Sequence, residues 1–478
     1  MTATPPAAVR TAAITNLGCK VNQAEMEAAA RRLRELGIAI VDGDRPADLV
    51  LVNTCTVTAE ADAKSRHAVR RARRASPDAP VVVTGCSVQV DRAAFASVDP
   101  GARLVDNRSK DALLAELDGL LGAAVPATGP LPRALPTLSG VEIEGIADGR
   151  ASVERTRAFV KVQDGCSFFC TYCIIPAARG PERSLGPEVV LADVRRALAA
   201  GHREIVLTGI NIGTYDGGWS ERGFRGAHTR SALTLAGLVR RILDETPVER
   251  IRISSIEPQH VDDELLRVWA DAAPRTLPHL HLPLQSGDDG VLRRMGRRYL
   301  SADYRRTVER VREALPGVAV HADAIVGFPT EDDAAWARSY AFIRSLDLAG
   351  LHVFRYSPRP GTAAVRIAGQ VDEPTKKRRA RELLALAAEA RERWAGGRVR
   401  SAARVLLEDR LDDGRWVGHA EDHTLVAVRA PSAGADLDNA IATVAIEGVD
   451  PARADRVVGR VLDVSPPSAA PPEVPVDA

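Results

Sequence analysis

The sequence predicts an α/β protein in three parts. An amino-terminal α/β domain with a parallel sheet comes first, a central partial β/α barrel follows, and a small OB-like β-barrel ends the fold. Three observations predict this. Residues 10–122 alternate short apolar runs with helical segments. Residues 156–396 repeat that alternation on a larger scale. Residues 397–465 change to short β-rich runs spaced like a five-stranded barrel.

In the first part, Thr11 to Leu17 reads as a strand, and Met26, Ala29, Ala30, Leu33 and Leu36 form a helical apolar face. Asp48 to Asn53 and Pro80 to Gly85 hold the next apolar runs, with an arginine-rich helical segment between them. Residues 123–155 are rich in Pro, Gly and Ala without periodicity, as expected of a linker. The central strands are expected at Ala158–Val162, Glu204–Thr208, Arg250–Ser254, His279–Leu284, Val318–Val326 and Leu351–Tyr356. Helix-like segments separate them, and a long helix fits Glu373 to Trp394. The last strands are expected at Ala403–Leu407, Arg415–Gly418, Thr424–Val428, Ala442–Ile446 and Val457–Val464. The Pro- and Ala-rich tail, 466–478, is expected to be disordered.

Composition narrows the function classes. The chain has 478 residues and a net charge of +1, from 64 basic and 63 acidic residues, so any nucleic-acid footprint must be local. Met1 to Ala13 lacks an apolar run of signal-peptide length, and no apolar stretch is long enough to span a membrane. Six cysteines are too few for a disulfide scaffold, so metal binding or catalysis is the expectation.

Those cysteines fall into two sets of three. Cys166, Cys170 and Cys173 form a C-x3-C-x2-C run just after the first barrel strand. Three thiolates on one short loop can hold three corners of a cubane, leaving the fourth iron to bind a small molecule. Ferredoxin runs have another spacing and a fourth Cys, and zinc wants four ligands. Cys19, Cys55 and Cys86 each lie just past the carboxyl end of an expected strand, and in an open α/β sheet those ends face one crevice. The dispersed set can therefore converge on a second cluster. Buried structural cysteines are the alternative for either set.

With these motifs, the sequence resembles the radical S-adenosylmethionine (SAM) methylthiotransferases over nearly its whole length. The resemblance is carried by Leu17-Gly-Cys-Lys-Val-Asn-Gln23, Asn53-Thr-Cys-Thr-Val57, Val162 to Gly180, His281 to Gly287 and Ile325 to Glu331. It implies an amino-terminal methylthiotransferase domain, a radical-SAM barrel and a TRAM-like RNA-binding barrel. Three branches are known, acting on tRNA threonylcarbamoyladenosine, tRNA isopentenyladenosine or a ribosomal-protein aspartate. Lys20 to Gln23, Thr208 to Gly213 and Ser254 to Pro258 resemble the first branch; Ala177, where that branch often carries Tyr, departs from it.

The resemblance further implies two [4Fe–4S] clusters and two SAM molecules per turnover. Cys166, Cys170 and Cys173 would hold the cluster that cleaves SAM to a 5′-deoxyadenosyl radical. Cys19, Cys55 and Cys86 would hold the auxiliary cluster that delivers methylated sulfur. Thr208 and Gly209 are expected to contact the methionine part of SAM, Glu257 its ribose or amino group, and Ile325 to Gly327 the adenine. Each can equally be a barrel or loop residue. For His281 and Asp323, buried structural hydrogen bonding is the expectation. Phe169 and Tyr172 are expected to shield the cluster loop.

The implied partners are the tRNA anticodon stem-loop and a low-potential electron donor of flavodoxin or ferredoxin type. No membrane partner is expected, and the chain is expected to be monomeric and cytoplasmic. Local basic groups suit RNA phosphates: Arg66, Arg70, Arg71, Arg73 and Arg74; Arg293, Arg294, Arg297 and Arg298; Lys376, Lys377, Arg378 and Arg379. Each can equally be a solvated helix face. Trp416 is a candidate RNA-stacking residue. The alternative from another class is a non-catalytic Fe–S protein that binds RNA or carries electrons.

Overall fold

The computed structural model describes residues 11–107 except 44, positions 113, 117, 119 and 120, residues 156–217, and residues 233–465 except 433. The expected linker (123–155), the expected disordered tail (466–478) and residues 1–10 of the expected leaderless terminus lie outside the described residues.

The chain divides into two units. The first contains the amino-terminal domain together with two excursions from later sequence, Gly165–Pro181 and Ser357–Val365. Its parallel sheet has the order β2-β1-β3-β4-β5, with β1 Thr11–Asn16, β2 Ala39–Asp42, β3 Leu49–Thr54, β4 Val81–Gly85 and β5 Arg103–Leu104. The period-2 alternation of strand side chains splits the core into two faces. Ala12, Ile14, Leu49 and Leu51 pack with Met26, Ala29, Ala30 and Leu33 of helix α1 (Lys20–Glu35). Ala13, Val50, Val52 and Val83 pack with Ala61, Ala68, Val69 and Ala72 of helix α2 (Ala59–Ala75). Burial on both faces explains why β3 and β4 are continuous apolar runs. Sequence reading missed both short edge strands: β5 is only two residues long, and the run Ile38 to Val41 that forms β2 follows helix α1 after a single glycine turn. Register places Asn16 beside Asn53 and Asn53 beside Thr84, so the carboxyl ends of β1, β3 and β4 line up.

The second unit holds the barrel. Strands β6 (Arg157–Lys161), β9 (Glu204–Thr208) and β10 (Arg250–Ile253) form a sheet in the order β10-β9-β6. Strands β11 (His279–His281), β12 (Ala319–Val326) and β13 (Gly350–Arg355) form the order β11-β12-β13. The bridges Ile251 to Thr276 and Ser255 to His281 join the two sheets into an open, all-parallel half-barrel. The short antiparallel pair β7 (Gln163–Asp164) and β8 (Arg183–Ser184) marks where the chain leaves for, and returns from, the Gly165–Pro181 excursion. Asp164 fixes this neck by accepting from Lys161 and Arg183, each at 3.1 Å.

The last five strands are β14 (Ala402–Arg410), β15 (Trp416–His419), β16 (Leu425–Arg429), β17 (Ile441–Asp450) and β18 (Arg453–Ser465). They close into a barrel in the order β14-β15-β16-β18-β17. This barrel joins the amino-terminal ends of β6, β9 and β10. Arg157 pairs with Glu408 at 2.7 Å, and Arg250 donates to the Arg404 carbonyl at 2.9 Å. Trp416 lies in the barrel core with Val405, Leu407 and Val444. That corrects its reading as a stacking residue: its alternation on β15 points inward.

Candidate iron–sulfur sites

Cys19, Cys55 and Cys86 follow β1, β3 and β4, so the aligned strand ends bring them together in the first unit. Cys19 is exposed; Cys55 and Cys86 are buried. Burial pushes the Cys55 thiol up to about 12, and the Cys86 sulfur, the Cys19 sulfur and Asp62 push the same way against the Val57 N–H. Three thiolates here would repel one another out of water, which calls for a bound positive centre.

The donor type indicates what kind. Zinc wants four ligands, whereas an all-cysteine triad suits an iron–sulfur cluster. Among the described residues, His281, Asp323 and His352 also bring three ligand atoms within 4.8 Å of one another.

Gly85, immediately before Cys86, has φ +109°. A Cβ there would run into the Thr54 backbone and lie 2.5 Å from Asn53 Oδ1. Gly85→Ala is expected to destabilise the first unit by ~1–3 kcal/mol and to lower iron loading, read by thermal melting and iron analysis.

Cys166, Cys170 and Cys173 sit on the Gly165–Pro181 excursion, also in the first unit. The Cys166 N–H donates to the Gly180 carbonyl at 3.1 Å, and the Cys173 N–H to the Cys170 carbonyl at 2.9 Å, folding the loop on itself. Gly165 has φ +70°, and a Cβ there would collide with the Pro181 carbonyl. Cys170 is buried, while Cys166 and Cys173 are half-buried. No disulfide joins any of the six cysteines. Phe169 is 54% exposed with φ 51°, so it does not cover the loop as expected from sequence.

The remaining site candidates belong to the second unit. Thr208 ends β9 and is buried; Gly209 follows it, and a Cβ there would lie 3.0 Å from Gln163. Gln163 Oε1 accepts from the Asn211 N–H at 2.8 Å, which shapes this turn. Strand β10 stops at Ile253, and Glu257, beyond its end, caps the short turn Pro258–His260. Burial pushes its carboxyl up against the pull of Arg297, with which it forms an ion pair. Tyr299, which also accepts from Arg297, donates to the Pro283 carbonyl at 2.6 Å. Arg297 is therefore a barrel residue and not an RNA contact. Its partner lies forty positions away in sequence, which local reading cannot supply.

At the neighbouring strand ends, His281 Nε2 and His352 Nδ1 both bond Asp323 Oδ1, at 2.8 and 3.1 Å. Burial opposes ionisation of Asp323, but the two imidazoles outweigh it and hold its pKa well down. The hydrogen-bonded reading of His281 and Asp323 stands. Ile325 and Val326 end β12, and Gly327 just after them is anchored by its N–H donating to Glu331 at 2.6 Å.

The third basic group is a further correction. Lys376 and Arg379 are buried, and Arg379 pairs with Glu331 at 3.0 Å and with Asp333 at 2.9 Å. Arg378 pairs with Asp333 and Glu382. On α2, Arg73 pairs with Asp99 at 2.9 Å, while Arg66, Arg70, Arg71 and Arg74 have no acidic partner among the described residues.

Known proteins resemble this chain over most of its length. Residues 11–105 match the uncharacterized protein family UPF0004, and residues 160–343 match the radical SAM superfamily. The chain is 36% identical to the threonylcarbamoyladenosine tRNA methylthiotransferase MtaB of Bacillus subtilis (strain 168), over 88% of this chain and 90% of that protein. It is 32% identical to MtaB of Thermotoga maritima, over 95% and 99%. It is also 32% identical to the tRNA-2-methylthio-N(6)-dimethylallyladenosine synthase of Sphingopyxis alaskensis, over 87% and 91%. With a radical SAM match and relatives at 32–36% identity over most of both chains, this protein belongs to the radical-SAM methylthiotransferase family.

Proposed function

We propose that the protein converts N6-threonylcarbamoyladenosine at tRNA position 37, next to the anticodon, to its 2-methylthio derivative, using two [4Fe–4S] clusters and two SAM molecules. The observation that carries this reading is the presence of two all-cysteine triads in one unit. Cys166, Cys170 and Cys173 would hold one cluster, and Cys19, Cys55 and Cys86 the other. When bound, these groups supply what no side chain can: a radical able to remove an aromatic hydrogen, and a methylated sulfur to replace it.

The chain's own residues hold and shield. Cys55 and Cys86 are buried, which keeps water from two of the three sulfurs, while Cys19 faces solvent. The Asn107 side-chain amide donates to Cys86 Sγ at 3.6 Å and so orients this sulfur. In the second unit, Thr208 and Gly209 offer the end of β9 to the methionine part of SAM. Glu257, oriented by Arg297, offers a carboxylate to its ribose or amino group. A flavodoxin- or ferredoxin-type donor would supply electrons, and a cytoplasmic monomer is the expected form.

The open arginine face of α2 is the candidate phosphate contact. Replacing Arg70 and Arg74 by alanine is expected to weaken tRNA binding and reduce the salt slope of log K by about 1–2. Filter binding across a salt series reads this, and an unchanged slope would remove α2 from the interface.

For the target, tRNA from a deletion strain is digested and its nucleosides are weighed. Loss of methylthio-threonylcarbamoyladenosine, restored by the intact gene, is expected. Persistence of that nucleoside, or loss of methylthio-isopentenyladenosine instead, would contradict the assignment.

A further inference from the structure

We infer that Arg179 is a positioning residue that locks the Cys19, Cys55, Cys86 site onto the loop bearing Cys166, Cys170 and Cys173, so that the two triads keep one separation. Arg179 ends the short helix Ile175–Arg179, which follows Cys173, and its side chain is fully buried. Its guanidinium bonds Glu25 Oε1 at 3.1 Å and Oε2 at 3.2 Å, and also Asn22 Oδ1. Both partners lie in the first turns of α1, the helix capped by Cys19. Asn22 Nδ2 in turn donates to the Leu17 carbonyl at 2.9 Å and the Thr54 carbonyl at 3.3 Å. Those two carbonyls stand just before Cys19 and Cys55. One side chain from the later loop is thus tied to the ends of β1 and β3.

Two further ties complete the lock, all within the first unit. Asn107, buried, donates to Cys86 Sγ at 3.6 Å and to the Ala178 carbonyl at 3.1 Å. Arg359 donates to Thr56 Oγ1 at 2.8 Å, beside Cys55, and pairs with Asp62. From the same excursion, the Ala364 N–H donates to the Thr171 carbonyl at 2.8 Å, between Cys170 and Cys173. Each dispersed cysteine therefore has a neighbour bonded toward the later loop or its supporting segment.

A buried Arg–carboxylate pair is a poor means of gaining stability, since an apolar replacement often does as well. What a two-pronged guanidinium does fix is geometry. The proposed function requires that geometry, because the substrate carbon must reach both sites, and the inference rests on that reading for its purpose.

The test uses Arg179→Met, Arg179→Lys and Glu25→Gln. In the reconstituted holoenzyme, 5′-deoxyadenosine and methylthiolated nucleoside are both counted. Arg179→Met is expected to keep SAM cleavage within about threefold while product per cleavage falls about tenfold or more. Arg179→Lys, which can pair with Glu25 but cannot fork, should recover part of the ratio. Separately, the metal-free, reduced chain is treated with bismaleimide cross-linkers of stepped length, which add to two cysteine thiols, and links between the triads are mapped by peptide mass. The wild type should favour one length, and Arg179→Met several. A wild-type product ratio and an unchanged cross-link pattern in Arg179→Met would overturn the inference. If that variant does not fold, Glu25→Gln carries the same two readouts and the same overturning result. Absence of 5′-deoxyadenosine from the wild type would sink the functional reading, while the cross-link pattern would still decide the lock.

Discussion

Cys19→Ala is expected to stop methylthiolation while SAM cleavage continues. Cys19 is exposed, so its removal opens no cavity, and it caps α1 without a side-chain hydrogen bond. The fold of the first unit should therefore survive, and a loss of product would not reflect unfolding. Losing one of only three ligands removes far more than an outer partner does, whose loss already costs about 10–100-fold. Product should accordingly fall by at least about a hundredfold. Cys170→Ala should behave differently and abolish both activities, because the same triad would bind SAM at its open iron. Parallel assays of 5′-deoxyadenosine and methylthiolated nucleoside separate the two. Loss of both activities in a well-folded Cys19→Ala protein would contradict the division of roles.

The largest stability effect is expected at Glu204→Gln. Glu204 is fully buried and accepts from Arg250 Nε and Arg252 Nε, each at 2.8 Å. Removing the carboxylate leaves two buried guanidinium groups without their anion, which costs about 3–5 kcal/mol. Thermal unfolding should drop by roughly 10 °C.

The acid limb gives an independent check. Burial pushes the Glu204 carboxyl up, but Arg252, Arg250 and Arg157 outweigh it and hold the pKa at about 2, below its ordinary 4.5. A group depressed in the folded state gives its full stabilisation above its unfolded pKa and loses it as pH falls. The wild type should therefore lose about 3 kcal/mol from this group between pH 4.5 and 2. Glu204→Gln should lack that part of the slope. Urea unfolding at stepped pH reads it, and parallel slopes in the two proteins would contradict the assignment.

Sequence legibility followed the range of the interactions. β3 and β4 were readable because burial on both faces writes continuous apolar runs, and barrel strands such as β6 and β12 because buried residues alternate along them. The C-x3-C-x2-C run was readable because its ligands lie on one loop. The dispersed triad needed the parallel register that aligns Asn16, Asn53 and Thr84. Pairings across long separations could not be read. Arg379 looked like a surface charge until Glu331 and Asp333 enclosed it, and Arg297 until Glu257 did. The grouping of Gly165–Pro181 with the amino-terminal unit has no local signature either. It depends on Arg179 and Asn107, whose partners are far away in sequence.

The most direct test of two clusters is iron and labile sulfide counting on the anaerobically reconstituted chain. Wild type is compared with the triple alanine variants of each cysteine set. About eight irons are predicted for the wild type and about four for each triple variant. About four irons in the wild type, all lost with Cys166, Cys170 and Cys173 and none with Cys19, Cys55 and Cys86, would contradict the two-cluster account.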